Sequence, residues 1–380
     1  MNENVTRKYF IDNIRSITVI IVIVYHVAYL FNSAGVVSNI GEAGIPAFDT
    51  LCYFVYPWLM TIMFLVAGIS ARYALQKRTV KQFLRERAQK LLIPFIGGIF
   101  LLGWITGWIT DQYYNILSGN DVPAFIKYFV FCILGMGPLW FNLELLIISM
   151  VLLIFYKIDK NDRLTALAGK ANIFVLLALF LPFWGSSFLL NTPFITVFRN
   201  GIYLFVFLTG YYFFSQERII EILAKFRFPL LIAGIILGII EISYFYRQDF
   251  SDDSFLQHPL TTVYSWIMMM AILGCSQKYF NKTNKLMVYI RSRSFLWYLC
   301  HYPIMVFTAY ILTSVFNLPF IFNYILLLAV AFGATIIFCE IIRLIPVLRY
   351  LLFGIKNKPQ TPQEKELPHN DSSTAPVNTA

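Results

Sequence analysis

Charge is what this chain has least of. Only 13% of its 380 residues are Asp, Glu, Lys or Arg, roughly half the share of an ordinary soluble domain. Such a composition excludes a water-covered globule of this size. Cysteine is scarce too. The five (Cys52, Cys132, Cys275, Cys300 and Cys339) are scattered through apolar stretches, with no CxxC pair and no Cys/His cluster. That pattern excludes a disulfide scaffold and a zinc ribbon, and the five read as small buried hydrophobes with no metal implied. There are four histidines, and His258 and His369 lie at the start of an apolar run and in a polar tail. Only His26 and His301 stand inside apolar runs.

What fills the chain is apolar: 58% hydrophobic residues and a mean hydropathy of +0.67. Runs of spanning length recur along it. They predict an all-α polytopic membrane bundle of about ten transmembrane helices. Residues 1–11 read as a cytoplasmic N-terminus, 12–352 as one membrane domain and 353–380 as a disordered cytoplasmic tail. The expected spans are 12–31, 50–74, 91–112, 139–157, 171–189, 196–215, 228–247, 259–277, 295–316 and 320–345. A semi-apolar piece within 113–138 is too short to cross and reads as interfacial or re-entrant. The first run lacks a small-residue cleavage pattern, so it reads as a retained helix rather than a signal peptide.

The net charge is +10. Of the 30 Lys and Arg, only Lys127, Arg199 and Arg247 fall in loops expected outside, and Arg15 lies within the first run. The rest sit on the other side, which is the positive-inside pattern with both termini cytoplasmic. The basic balance therefore needs no nucleic acid. No inverted repeat of the transporter type stands out.

The residues that can carry chemistry are few. Arg15 and His26 lie eleven residues apart in DNIRSITVIIVIVYH. Eleven steps make about three turns, so both point one way, roughly 16 Å apart along the axis. Arg15 on its own can snorkel to the interface, and His26 can simply hydrogen-bond within the bundle. An imidazole at that depth is costly, and it suits a general base that takes a proton from a hydroxyl. Arg87 and Lys90 share a helical face at the membrane boundary. They serve as topological anchors or as a cation pair for phosphate oxygens. Glu144 stands between aromatics and leucines in LWFNLELL. It is either a protonated structural carboxyl or a group that orients His26 or meets an acceptor sugar. His301 lies in FLWYLCHYPIMVF, two turns into the ninth expected span, at a depth like that of Arg15.

Taken in order, these segments resemble the membrane acyltransferase family 3, and within it the branch that contains glucans biosynthesis protein C. The resemblance rests on Arg15 and His26 in the first run, Arg87, Lys90 and Pro94 before and within LLIP, Leu139-Trp140-Phe141, and Tyr298, Leu299, His301 and Pro303. It covers about residues 10–350. Two elements depart from the pattern: Ala67-Gly68-Ile69 stands where a Ser-Gly-aromatic step is common, and Lys90 replaces an Arg, a point charge for a fork. The resemblance implies acyl-CoA as donor, approaching from the cytoplasm, with Arg15, Arg87 and Lys90 on its phosphates and His26 as general base. From their own placement in the chain, His301 is added to the donor-binding residues and Glu144 to the catalytic set.

The expected function is a plasma-membrane O-acyltransferase that moves acetyl or succinyl from acyl-CoA to a hydroxyl of an envelope glycan or lipid-linked saccharide, among membrane lipids and without metal. Two rivals fit the same intramembrane ionisables. One is a transporter or flippase using Arg15, His26 and Glu144 as a relay. The other is a non-enzymatic sensor or scaffold.

Overall fold

The computed structural model describes residues 8–117, 121–159, 161–190, 199–316 and 318–356. Among them every regular element is a helix, with no strand. This is what a bilayer demands, since a helix satisfies its backbone polar groups internally where water is absent.

The elements in order are α1 (Tyr9–Leu30), α2 (Pro46–Lys77), α3 (Val80–Tyr114), α4 (Ala124–Leu134) and α5 (Gly137–Ile158). They continue as α6 (Arg163–Ala168), α7 (Ile173–Ser186), α8 (Asn200–Phe214), α9 (Glu217–Lys225) and α10 (Arg227–Phe245). The last are α11 (Asp253–Leu256), α12 (Pro259–Tyr279), α13 (Lys285–Phe316), α14 (Phe320–Leu344) and α15 (Pro346–Phe353). Eight helices are long and apolar enough to cross a membrane, so this is a multi-pass membrane protein. The fifth and sixth expected spans are present as α7 and α8, apolar helices of only 10–17 residues. In α7 the hydroxyls of Ser186 and Ser187 bond back to the carbonyls of Phe183 and Trp184, both at 2.6 Å, and the helix stops there. The semi-apolar piece forms the short helix α4.

Helix α2 is the central one. Of its most apolar window 83% is buried, against 28% for α10 and α14 at the periphery. Contact between α2 and α8 is backbone to backbone. A Cβ on Gly68 would lie 2.0 Å from the Phe207 carbonyl oxygen, and one on Gly210 would lie 2.3 Å from that of Leu65. Small residues facing one another let helices approach to this range.

Helices α1 and α13 begin at the same end of the bundle. Asn13 Nδ2 donates to the carbonyls of Phe280 (2.6 Å) and Lys282 (2.9 Å), just before α13. Further in, the Ser16 and Ser294 hydroxyls meet at 3.4 Å.

Two boundaries differ from expectation in ways that matter for the site. Helix α3 starts at Val80 instead of 91, so Pro94 lies well inside it rather than in its first turn. A proline cannot donate to the residue four back and crowds its carbonyl; here the preceding turn, Ala88–Leu92, widens to π geometry. Helix α13 starts at Lys285 instead of 295, which moves His301 deeper. At the C-terminal end, residues 353–356 of the expected tail are described. Phe353 closes α15, and the Gly354 carbonyl accepts from Gln89 Nε2 at 2.7 Å. The remainder of that tail, 357–380, and residues 1–7 lie outside the described residues.

Candidate functional site

Two cavities open along one face of α1. The first, of about 880 Å³, is cationic. It is lined by Arg15, Arg78, Arg87, Lys90 and Arg291, with Asp12 and Glu86 as the carboxylates among them. α1, α2, α3, α13 and the end of α15 all contribute to it. Several cations are already engaged. Arg78 Nε pairs with Glu86 at 2.8 Å, and Lys90 reaches the same carboxylate at 3.6 Å. Arg15 donates to Ser70 Oγ at 2.8 Å and lies 3.8 Å from Asp12. Arg87 differs. Its guanidinium rests on the Phe83 ring, 4.8 Å from the centroid, and among the described residues it has no ion pair. A guanidinium placed over an aromatic face, with no carboxylate partner, has N–H donors to offer a planar or tetrahedral anion. The cavity therefore suits a polyanion bound by its phosphates, and its volume is that of a small-molecule site.

The second cavity, of about 410 Å³, is aromatic and carries His26. Tyr25, Tyr29, Tyr56, Tyr203 and Tyr302 are among its walls. Tyr302 packs edge-on to the imidazole of His26 at 4.9 Å, and its hydroxyl donates to Asn39 Oδ1. Asn39 Nδ2 in turn donates to Thr110 Oγ1 at 2.7 Å. A hydrogen-bonded brace thus ties α13 to α3 through the loop after α1.

His301 is the largest departure from expectation. It lines neither cavity's described wall and stands away from Arg15's level, with its Nε2 3.2 Å from His26 Nδ1. The cause is the early start of α13. His301 comes sixteen residues after Lys285, roughly 24 Å along the helix, whereas a start at 295 would put it two turns in. Its side chain is fully buried.

The hydrogen bonds around the pair assign the protons. His301 Nδ1 faces the carbonyls of Tyr298 (2.8 Å) and Trp297 (3.1 Å), so it must carry hydrogen. Its Nε2 is then an acceptor. His26 Nδ1 lies 2.9 Å from the Val22 carbonyl and faces that acceptor, so it too carries hydrogen. The nitrogen left with a lone pair is His26 Nε2. The arrangement is a base whose tautomer is set by a second imidazole, and that imidazole can accept more strongly once the first is charged.

Glu144 is buried in α5 and is not among the residues lining either cavity. With its amide nitrogen turned inward, Asn200 donates to both Glu144 oxygens, at 2.7 and 2.9 Å. That contact joins α5 to the first turn of α8. One turn on, Tyr203 stacks on Trp140 at 5.4 Å, and both rings wall the aromatic cavity. The structure therefore brings Arg15, Arg87 and Lys90 together in one cavity, puts His301 with His26 at the other, and leaves Glu144 behind the wall.

Sequence pattern did not single out Asn39, Tyr302 or Arg291. Tyr302 sits beside His301 in HYP, which is a usable signal. Asn39 is a loop residue with none, and Arg291 is indistinguishable by pattern from the other basic loop residues.

The family model described as Acyltransferase domain matches residues 8–344. Among curated proteins, the chain is similar to glucans biosynthesis protein C of Salmonella paratyphi B and of Salmonella enteritidis PT4, each 22% identical over 379 residues, covering 94% of this chain and 97% of the relative. The protein of the same name from Salmonella schwarzengrund is 23% identical over 380 residues. No solved structure matches. With the family match running from α1 through α14, this chain belongs to the acyltransferase 3 family and is a membrane acyltransferase transferring groups other than aminoacyl groups.

Proposed function

We propose that this enzyme moves an acyl group, acetyl or succinyl, from acyl-CoA to a hydroxyl of an envelope glycan or lipid-linked saccharide at the plasma membrane. The observation that carries the reading is the placement of two unlike cavities on one stripe of α1, cations at Arg15 and an imidazole base at His26. In this reading the basic cavity faces the cytoplasm, in line with the positive-inside distribution of Lys and Arg. Arg15, Arg87 and Lys90 hold the donor's phosphates. The name shared by the curated relatives supports a glucan as acceptor. The many phenol rings of the second cavity suit a sugar, offering apolar faces and hydroxyls together.

The chemistry follows from the tautomers. His26 Nε2 takes the proton of the acceptor hydroxyl as its oxygen attacks the thioester carbonyl. The C–S bond breaks in the collapse of the tetrahedral adduct, and the departing thiolate takes the proton from His26. His301 Nε2 accepts from His26 Nδ1–H throughout and supports the transient imidazolium. Glu144 acts at one remove, holding Asn200 and with it Tyr203 at the cavity wall.

Calorimetric titration of acyl-CoA into the purified protein, beside an acyl-transfer assay, tests this. Arg87→Ala is expected to weaken donor binding roughly 10- to 100-fold, the value of a charge-assisted hydrogen bond. His26→Gln is expected to keep binding and lose at least about 100-fold in transfer. A protein with no CoA affinity, or a His26→Gln variant with full transfer, sinks the reading.

A further inference from the structure

The two cavities share one wall. Along α1 the stripe Arg15, Val19, Val22, His26 has the spacing i, i+4, i+7, i+11, a single helical face. Arg15 and Val19 line the basic cavity, Val22 and His26 the aromatic one. On α2 the change falls between Met63 and Met60, and on α5 between Phe141 and Trp140. Three helices thus mark the same level. Val19 and Val22 are three residues apart, so the partition is about 4.5 Å thick, less than one helical turn. At that level, Tyr298 lines both cavities, and among the described residues no other does.

Tyr298 is held in place by its hydroxyl, which donates to the Pro138 carbonyl at 2.5 Å. Pro138 belongs to the 3-10 turn that opens α5 and itself lines the aromatic cavity. The turn starts at Gly137, whose φ of +46° suits glycine, and a Cβ there would lie 2.6 Å from the Tyr302 ring. The backbone that offers the Pro138 carbonyl is therefore set by a residue that cannot be enlarged. The other walls at this level, Val19, Val22, Met60 and Met63, are apolar, and methionine adapts its shape readily.

We propose that this partition is the binding slot for the donor's unbranched thioester-bearing arm, and that Tyr298 is the positioning residue the arm displaces to reach His26. The inference rests on the two-sided reading above. A donor anchored at Arg15 has its reacting carbon needed roughly 16 Å further along α1, beyond the partition. Among the described residues, the Tyr298 side chain is held by one hydrogen bond, to Pro138, which rotation of the ring would break. Its own carbonyl stays on His301 Nδ1, so the slot can open while the base keeps its tautomer.

The test is thiol accessibility in sealed membrane vesicles, which needs neither donor nor acceptor and so fails separately from the acyl-transfer reading. The probe is Met60→Cys in the full chain, set against the parent, whose natural cysteines are buried or half-buried. A membrane-impermeant thiol reagent is applied from either face. With Tyr298 intact, Cys at 60 is expected to react only from the face opposite the basic cavity. Tyr298→Phe, which keeps the ring and loses the hydroxyl, is expected to raise reaction from the basic face about fivefold. Tyr298→Ala is expected to react comparably from both faces. Unchanged labelling from the opposite face reports that each variant is folded; should Tyr298→Ala fail that check, Tyr298→Phe decides. Equal reaction from both faces with Tyr298 intact overturns the proposal. So does no gain from the basic face in a folded Tyr298 variant.

Discussion

His301 Nε2 lies 3.2 Å from His26 Nδ1, joining two helices 275 residues apart in the chain. The hydrogen-bond pattern makes His301 the acceptor and His26 the donor. The pair works only in that sense, because the backbone carbonyls of Tyr298 and Val22 leave each ring a single free lone pair.

Replacing His301 should therefore act through His26. His301→Leu removes the acceptor and is expected to lower kcat about tenfold or more, some 1.4 kcal/mol of barrier, with the KM for the donor unchanged. His301→Gln offers a carboxamide oxygen in the same direction and should recover part of the loss. Steady-state kinetics on both variants checks this. A rise in donor KM with kcat intact would return His301 to the donor-binding role expected from sequence.

The crossing of α2 and α8 should tolerate no added methyl. A Cβ at Gly68 meets a backbone carbonyl rather than a flexible side chain, so Gly68→Ala must push the helices apart, at a cost of about 1–3 kcal/mol. Gly333 has open space around its Cβ position. There the same change is expected to be neutral or slightly stabilising, by about 0.5–1 kcal/mol. Thermal unfolding of the two variants in detergent compares them directly.

Asp162, in the loop after α5 and outside the spans, is bound by both guanidinium nitrogens of Arg72 near the end of α2, at 2.7 and 3.1 Å, which holds its carboxyl below the usual range. A carboxyl lowered on folding contributes stability above its unfolded value near ~3.9, and the contribution is lost as pH falls through the folded value. Asp162 is more than half exposed, so the pair is worth about 1 kcal/mol or less. Asp162→Asn keeps a residue suited to the positive φ of 52° there. It should lower the Tm modestly at pH 7, with the difference from the parent shrinking below about pH 4. A constant difference across pH would show that the charge is not what matters.

The sequence by itself determined the class of protein, since a bilayer imposes length and apolarity on each span and these are local, countable properties. Each of the ten expected runs is helical somewhere among the described residues, and the shared face of Arg15 and His26 follows from helical period alone. The pairing of Arg15 with Arg87 and Lys90 was legible because charge sorts to one side of the membrane.

Tertiary structure decided the rest. Helix ends are set by caps and neighbours that pattern does not contain. Asn284 caps α13 by accepting from Met287 N at 2.8 Å, eleven residues before the expected run begins, and that shift carries His301 from Arg15's level to His26. Glu144 could be named as an unwelcome carboxylate, but its partner Asn200 is chosen by the packing of α5 on α8. The role of Tyr298 as a wall of both cavities depends on three helices changing sides at one level. No single segment encodes that, because it is a property of how they are stacked.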